Sequence, residues 1–178
     1  MTVSLPENGL VLFSCEGGFE DVAVRKLLDA GMLVVGREDV VEITSDRSVS
    51  NIQRDYLGFD YGERPLTIIR IVDSPGKRFE LGRLYRDRFG VLSVYTRPEA
   101  EILAIINEGC YSDYVKQKSR VKPSEYCKQV LGMRNVKAVS YLKQYWNAER
   151  LAAAAREYKR VSKLGKDEYC IADLLVES

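Results

Sequence analysis

The first patterned stretch of the chain is Gly9-Leu10-Val11-Leu12-Phe13-Ser14-Cys15, a short and nearly continuous apolar run that stops at Glu16-Gly17-Gly18. A run of this length without alternation predicts a strand covered on both faces, followed by a tight turn. Beyond it, Phe19, Val22, Val24, Leu27 and Leu28 fall roughly on one helical face. Glu20 and Asp21 sit in the first turn, where the helix dipole favours anions, and Gly31 closes the helix. The pattern predicts the opening strand, turn and helix of a parallel sheet.

Two further apolar stretches, Met32 to Val35 and Val40 to Thr44, flank Gly36-Arg37-Glu38-Asp39, and either can supply the second strand. Ser45 to Pro65 is polar, and Ile52, Tyr56, Leu57 and Phe59 within it predict a short helix or a lightly packed loop. The clearest strand is Leu66-Thr67-Ile68-Ile69-Arg70-Ile71-Val72-Asp73, rich in β-branched residues and halted by Ser74-Pro75-Gly76. Phe79, Leu81, Leu84, Tyr85 and Phe89 then recur at near-helical spacing before Gly90, and Val91 to Thr96 predicts another short strand. Arg97-Pro98-Glu99 begins the next helix, with Pro98 in the first turn and Thr96 as a cap, and its apolar side is Ile102, Leu103, Ile105 and Ile106. Alternation of strands and helices with short connections predicts an α/β fold, a mostly parallel sheet flanked by helices.

The pattern changes after Gly109. Residues 110 to 164 carry no convincing strand but contain helical stretches rich in lysine and tyrosine over Ser124 to Met133, Asn135 to Trp146 and Ala148 to Val161. Residues 1–109 are therefore expected to form the α/β core and residues 110–178 a helical appendix packed on it, with Ile171 to Val176 docking back. At 178 residues the whole suits one domain.

Charge and cysteine content narrow the chemistry. Lysine and arginine total 27 against 26 acids, a formal net charge of +1, so any charged partner must be recognised by a local patch. The start lacks a basic stretch followed by an apolar core, and no apolar run approaches the ~20 residues that span a bilayer, which predicts a cytoplasmic protein without a membrane partner. Cys15, Cys110, Cys127 and Cys170 form no C-x-x-C pair and read as free buried thiols. With no histidine, Ser-His-Asp and Cys-His catalysis are excluded.

In open parallel sheets, ligands bind at the carboxyl ends of strands. Here Glu16 follows the first strand, Asp73 ends the central one, and Glu99 with Glu101 opens the helix after the last. Clustered carboxylates repel one another unless a cation sits between them, so the set suggests an oxygen-ligated Mg²⁺ or Mn²⁺ site, with Glu16, Asp73, Glu99 and Glu101 as candidate ligands and a phosphodiester as the natural substrate. Each motif also has a purely structural reading. Glu16-Gly17-Gly18 and Asp73-Ser74-Pro75-Gly76 make ordinary turns, and first-turn acids are stabilised by ~0.3–1 kcal/mol through the dipole alone.

The segment Leu12 to Asp21 resembles the first motif of the Toprim superfamily, a strand ending in Glu-Gly, with a further acid four residues on as in its OLD-type and RloB-like branches. Ile69-Arg70-Ile71-Val72-Asp73 resembles the second Toprim strand, which ends in Asp-x-Asp, and Thr96 to Leu103 resembles the acidic segment that opens the later helix. The resemblance covers residues 8 to 108 and implies a metal-dependent nuclease or strand-transfer fold, with Glu16 as acid/base, Asp73 as metal ligand and Glu20 as a further candidate metal ligand. It also implies a role in phage defence or mobile elements. One departure matters: Pro75 stands where the second aspartate belongs, and proline has no side-chain ligand. Either Glu99 and Glu101 complete the metal site, or the fold persists without catalysis as a module that binds a larger partner protein or a second copy.

Lys77, Arg78, Arg83, Arg86 and Arg88 follow the site, and Arg97, Lys116, Lys118, Arg120, Lys122 and Lys128 continue the positive charge. Lys77, Arg78, Arg97, Lys116 and Lys118 are the candidate contacts to DNA or RNA phosphates, with Tyr111, Tyr114 and Tyr126 available to stack on bases, and a solvated helix surface is the alternative. Trp146 with Tyr141 and Tyr145 reads as a packing seam or a contact with a partner chain.

Overall fold

The computed structural model describes residues 2–73, 79–96, 100–162, 164–165 and 168–177. Strands β1 (Leu10–Cys15), β2 (Val40–Thr44), β3 (Leu66–Val72) and β4 (Gly90–Tyr95) form a 4-stranded sheet in the order β2-β1-β3-β4, and every pairing is parallel. The strongest β signal in the sequence lies inside the sheet: every residue of β3 is buried. It is flanked by β1 through pairs such as Phe13 with Ile69, and by β4 through pairs such as Ile69 with Leu92.

Side chains alternate along these strands and feed two separate apolar layers. On one face, Val11, Phe13 and Cys15 of β1, Ile69 and Ile71 of β3 and Val94 of β4 meet α1 (Gly18–Asp29) and α3 (Glu101–Asn107). On the other, Leu12, Leu66 and Ile68 pack with Ile52 of α2 (Val49–Tyr56), Leu57, Leu81 and Phe89. The chain runs from β1 through α1 to β2 on one side, then crosses back through α2 to β3 on the other. The strand order therefore reverses between β1 and β3, and a crevice opens there at the carboxyl ends.

Of the two candidates for the second strand, Val40 to Thr44 is the one that pairs with β1, while Leu33 makes only an isolated antiparallel bridge to Leu175. The helix expected over residues 79–89 does not form. The segment is a series of turns, with Tyr85 N–H donating to the Gly82 carbonyl at 2.9 Å and Phe89 N–H to that of Tyr85 at 3.0 Å. Leu81 and Phe89 are buried in the second layer and Phe79 and Tyr85 pack against it, while Leu84 is left 79% exposed, so these side chains anchor a run of turns to the sheet without needing a helix. The start expected for α3 at residues 97–99 lies outside the described residues.

The remaining helices are α4 (Tyr111–Val115), α5 (Pro123–Gln129), α6 (Val139–Tyr145) and α7 (Ala148–Val161), followed by a 3₁₀ turn at Ile171–Leu174. Leu151, Ala152 and Ala155 of α7 join Ile102, Leu103 and Ile106 of α3 in the first apolar layer, so one core runs from the sheet through the C-terminal helices. Leu151 is fully buried, and truncating such a leucine to alanine costs about 2–5 kcal/mol. The tail closes over the edge of β4 through Tyr95 N–H to the Tyr169 carbonyl, 2.8 Å. Buried Asp173 holds it in place by accepting from Cys170 N–H at 2.8 Å and pairing with Lys159 at 2.7 Å. Among the described residues, no helix is long and apolar enough to cross a membrane.

Candidate active site

The crevice between β1 and β3 begins with Glu16. Its Oε2 accepts a hydrogen bond from the backbone N–H of Asp73 at 3.1 Å, and its Oε1 lies 3.3 Å from Arg47 Nη1. Glu16 thus fastens the end of β1 to the end of β3. The glycines that follow it are favoured by space, most strongly at Gly18, rather than by a left-handed backbone, since Gly17 is extended at φ −148. A Cβ on Gly17 would stand 2.9 Å from Glu20 Oε2, and one on Gly18 would stand 2.6 Å from Val139 of α6. The Glu-Gly-Gly turn lets α1 start against both an acid and the C-terminal helices.

A pocket of about 220 Å³ opens here, lined by Glu20, Asp73, Glu101, Thr96 and Lys137, with Phe19, Leu142 and Trp146 among its apolar walls. Glu20 is buried and accepts a hydrogen bond from the Thr96 hydroxyl at 3.0 Å. Burial pushes its pKa above the ordinary value, and the charges of Asp73 and Glu16 add to the rise, against the hydrogen bonds from its backbone and from Thr96. Glu101 is 6% exposed, and Lys137 Nζ lies 3.0 Å from its Oε1. That contact has an ion pair's distance without a hydrogen bond's alignment, so Oε1 is a buried acceptor still lacking a donor. Asp73 is exposed at the mouth, and no hydrogen bond from a described residue reaches its carboxylate.

These acids can be tested against a divalent cation. Among the described residues, no group of three or more ligating side chains converges tightly enough to hold a metal ion, so there is no ready-made cage of the kind that Ca²⁺ takes. Mg²⁺ is commonly held by only one or two carboxylates together with waters and substrate phosphates. The unsatisfied Glu101 Oε1 and the open Asp73 carboxylate, in one pocket, fit that smaller demand.

Of the acids singled out in the sequence, Glu20, Asp73 and Glu101 share the pocket, and Glu16 borders it through the Asp73 backbone. Glu99, Lys77, Arg78, Arg97 and Pro75 lie outside the described residues. Lys116 and Lys118 are exposed but do not line the pocket, and Lys116 is paired with Asp113 at 2.8 Å. Stacking on bases is ruled out for Tyr114 and Tyr126, which are buried and meet edge to face with ring centroids 5.3 Å apart. Trp146 is buried against Phe19 and Tyr145, as a packing seam requires. The cysteines are free, and burial raises the thiol pKa of Cys15 and pushes that of Cys170 up to about 11, so neither is a ready nucleophile. Thr96 enters as a partner of Glu20, while the first turn it is expected to cap lies outside the described residues. Lys137 was not foreseen in the sequence, because only folding brings the C-terminal segment over α1 and α3.

No protein-family model, curated protein or solved structure matches this chain.

Proposed function

We propose that this is a Toprim-like cytoplasmic protein that hydrolyses phosphodiester bonds of nucleic acid, in phage defence, at the pocket between β1, β3 and α3. The observation that supports this reading most is the gathering of Glu20, Asp73 and Glu101 in one pocket at the switch point of a parallel sheet. Asp73 and Glu101 would hold Mg²⁺ or Mn²⁺ together with phosphate oxygens. The ion, when bound, supplies positive charge to the phosphodiester and lowers the pKa of a water.

The chain's own groups then take defined parts. Glu20, held protonatable by burial and by its acidic neighbours, donates its proton to the leaving oxygen as the P–O bond breaks. Asp73, open at the mouth, accepts a proton from the attacking water as the new P–O bond forms. Lys137, whose ammonium lies beside Glu101, adds positive charge to the same wall and offsets charge on the phosphate. Glu16, with one oxygen on Arg47 and the other on the Asp73 backbone, is a positioning residue in this scheme.

The test is cleavage of labelled single-stranded RNA, single-stranded DNA and duplex DNA with Mg²⁺ or Mn²⁺. Glu20→Gln and Asp73→Asn should each lower turnover about 10²-fold or more while leaving the melting temperature near that of the wild type. Undiminished cleavage in both variants overturns the assignment. A second reading, a non-catalytic module that docks on a partner protein or a second copy, draws on Phe59 and Leu84, which are 62% and 79% exposed in the turns beside the second apolar layer. It gains if the wild type cuts no substrate and binds no Mg²⁺.

A further inference from the structure

On the opposite face of the sheet edge lies a cleft of about 430 Å³, lined by Ser14, Glu16, Arg47, Val49, Arg70, Val72 and Phe79. Arg70 is the one charged residue in the apolar run of β3 and is 7% exposed. Its position follows from the alternation of the strand, which puts it on the same face as Leu66 and Ile68. Buried guanidinium groups are normally paired with an acid and satisfied by hydrogen bonds. Here Cζ lies 4.3 Å from the centre of the Phe79 ring, and Nε is buried without a hydrogen-bond partner among the described residues. Among the described residues no carboxylate pairs with it: Glu16 lines the same cleft, yet its oxygens go to Arg47 and to the Asp73 N–H. The Ser14 hydroxyl is likewise taken, donating to the Asp46 carbonyl at 2.7 Å. Burial works against the charge, and Tyr95 and Glu16 only partly restore it.

We propose that this cleft binds a phosphate oxyanion, with Arg70 as its inner ligand and Arg47 as its outer one. Among the described residues that line the cleft, two guanidinium groups stand against one carboxylate, an excess of positive charge that suits an incoming anion. A phosphate offers acceptor oxygens to both forks at once, where a carboxylate has only two to share. Phe79 sits on the guanidinium without offering it an acceptor, so the Arg70 N–H groups are left for an anion in the cleft. The cleft exceeds what a lone phosphate fills and lies within the 300–1,000 Å³ typical of small-molecule sites, so the phosphate is carried on a larger body, a nucleotide or a nucleic-acid backbone.

The inference does not depend on hydrolysis in the acidic pocket, and its test separates the two. The full-length protein is titrated in a chelating buffer with inorganic phosphate, adenosine 5′-monophosphate and a short single-stranded oligodeoxynucleotide, against chloride at equal ionic strength, by thermal melting and calorimetry. At least one phosphate-bearing ligand should bind and raise the melting temperature. Binding of the mononucleotide assigns a nucleotide site, and binding of the oligonucleotide alone assigns the backbone. Arg47→Gln should weaken binding about tenfold. Arg70→Met should abolish it while melting, without ligand, at or above the wild-type temperature, because an unpaired buried charge has been removed. The proposal is overturned if no ligand binds the wild type, or if Arg47→Gln binds unchanged. A folded Arg70→Met variant that binds unchanged would also sink it.

Discussion

The two clefts at the carboxyl edge of the sheet are built from the same strands and differ in how each treats a buried charge. On the α1 and α3 face, Glu20 has the Thr96 hydroxyl at 3.0 Å and Glu101 has the Lys137 ammonium at 3.0 Å. On the opposite face, Arg70 has an aromatic ring and, among the described residues, no paired carboxylate, with Glu16 acting on it only at a distance. A charge removed from water loses several kcal/mol of solvation, and an opposite charge or hydrogen bonds must replace what is lost. The acidic pocket carries most of that replacement within the protein, and the cationic cleft leaves it to something from outside. Glu16 joins the two, reaching Arg47 in one and the Asp73 backbone in the other.

The contrast predicts opposite responses to removing a cation. Lys137→Met strips buried Glu101 of its counter-charge and should lower the unfolding free energy by about 1–3 kcal/mol, toward the lower end because Lys137 itself is 67% exposed and water replaces part of its effect. Arg70→Met should cost nothing. Urea denaturation of both variants at neutral pH checks the pair, and equal losses would mean that the two faces do not differ. A smaller effect is expected at the junction. Glu16→Ala deletes the acceptor of the Asp73 N–H and should cost about 1 kcal/mol, whereas Glu16→Gln, which keeps a carbonyl oxygen there, should recover most of it. Failure of Gln to recover would shift the weight to the Arg47 pair, although exposed ion pairs rarely contribute that much.

How far this arrangement could be read beforehand depends on the range of the interactions involved. The strand at Leu66–Val72 was legible because a fully buried parallel strand needs only an unbroken apolar, β-branched run. Glu16 and Asp73 were legible on one edge because a parallel sheet puts all strand ends of one kind together, while the adjacency of their strands is seen only in the fold. The turns over residues 79–89 were misread as a helix, since spacing registers Leu84 as apolar but cannot tell that it faces solvent. Lys137 carried no local signal at all: its place beside Glu101 comes from packing the C-terminal helices across α1 and α3. Arg70 did carry one, a lone charge inside an apolar strand, and a positive charge at that position asks for a partner that the neighbouring sequence does not supply.

The smallest effect should be the protonation of Glu20, and it distinguishes the faces by sign. Burial first, and the charges of Asp73 and Glu16 after it, raise the pKa of this carboxyl above its ordinary 4.5 in the folded protein. Between 4.5 and that raised value the folded state holds a proton that the unfolded chain has released, so stability falls as pH rises through the window and is fully restored below 4.5. Protonated Glu20 loses no contact, because it can donate to the Thr96 oxygen while that hydroxyl turns to the Val72 carbonyl 3.4 Å away. Glu20→Gln, neutral at every pH, should therefore gain on the wild type at neutral pH in chelating buffer, with the gain shrinking toward pH 4.5. Denaturant melts at several pH values measure the difference. A gain that is constant with pH would assign the effect to packing, and a loss that deepens toward neutrality would mean that the carboxylate, rather than the acid, is the form the fold prefers.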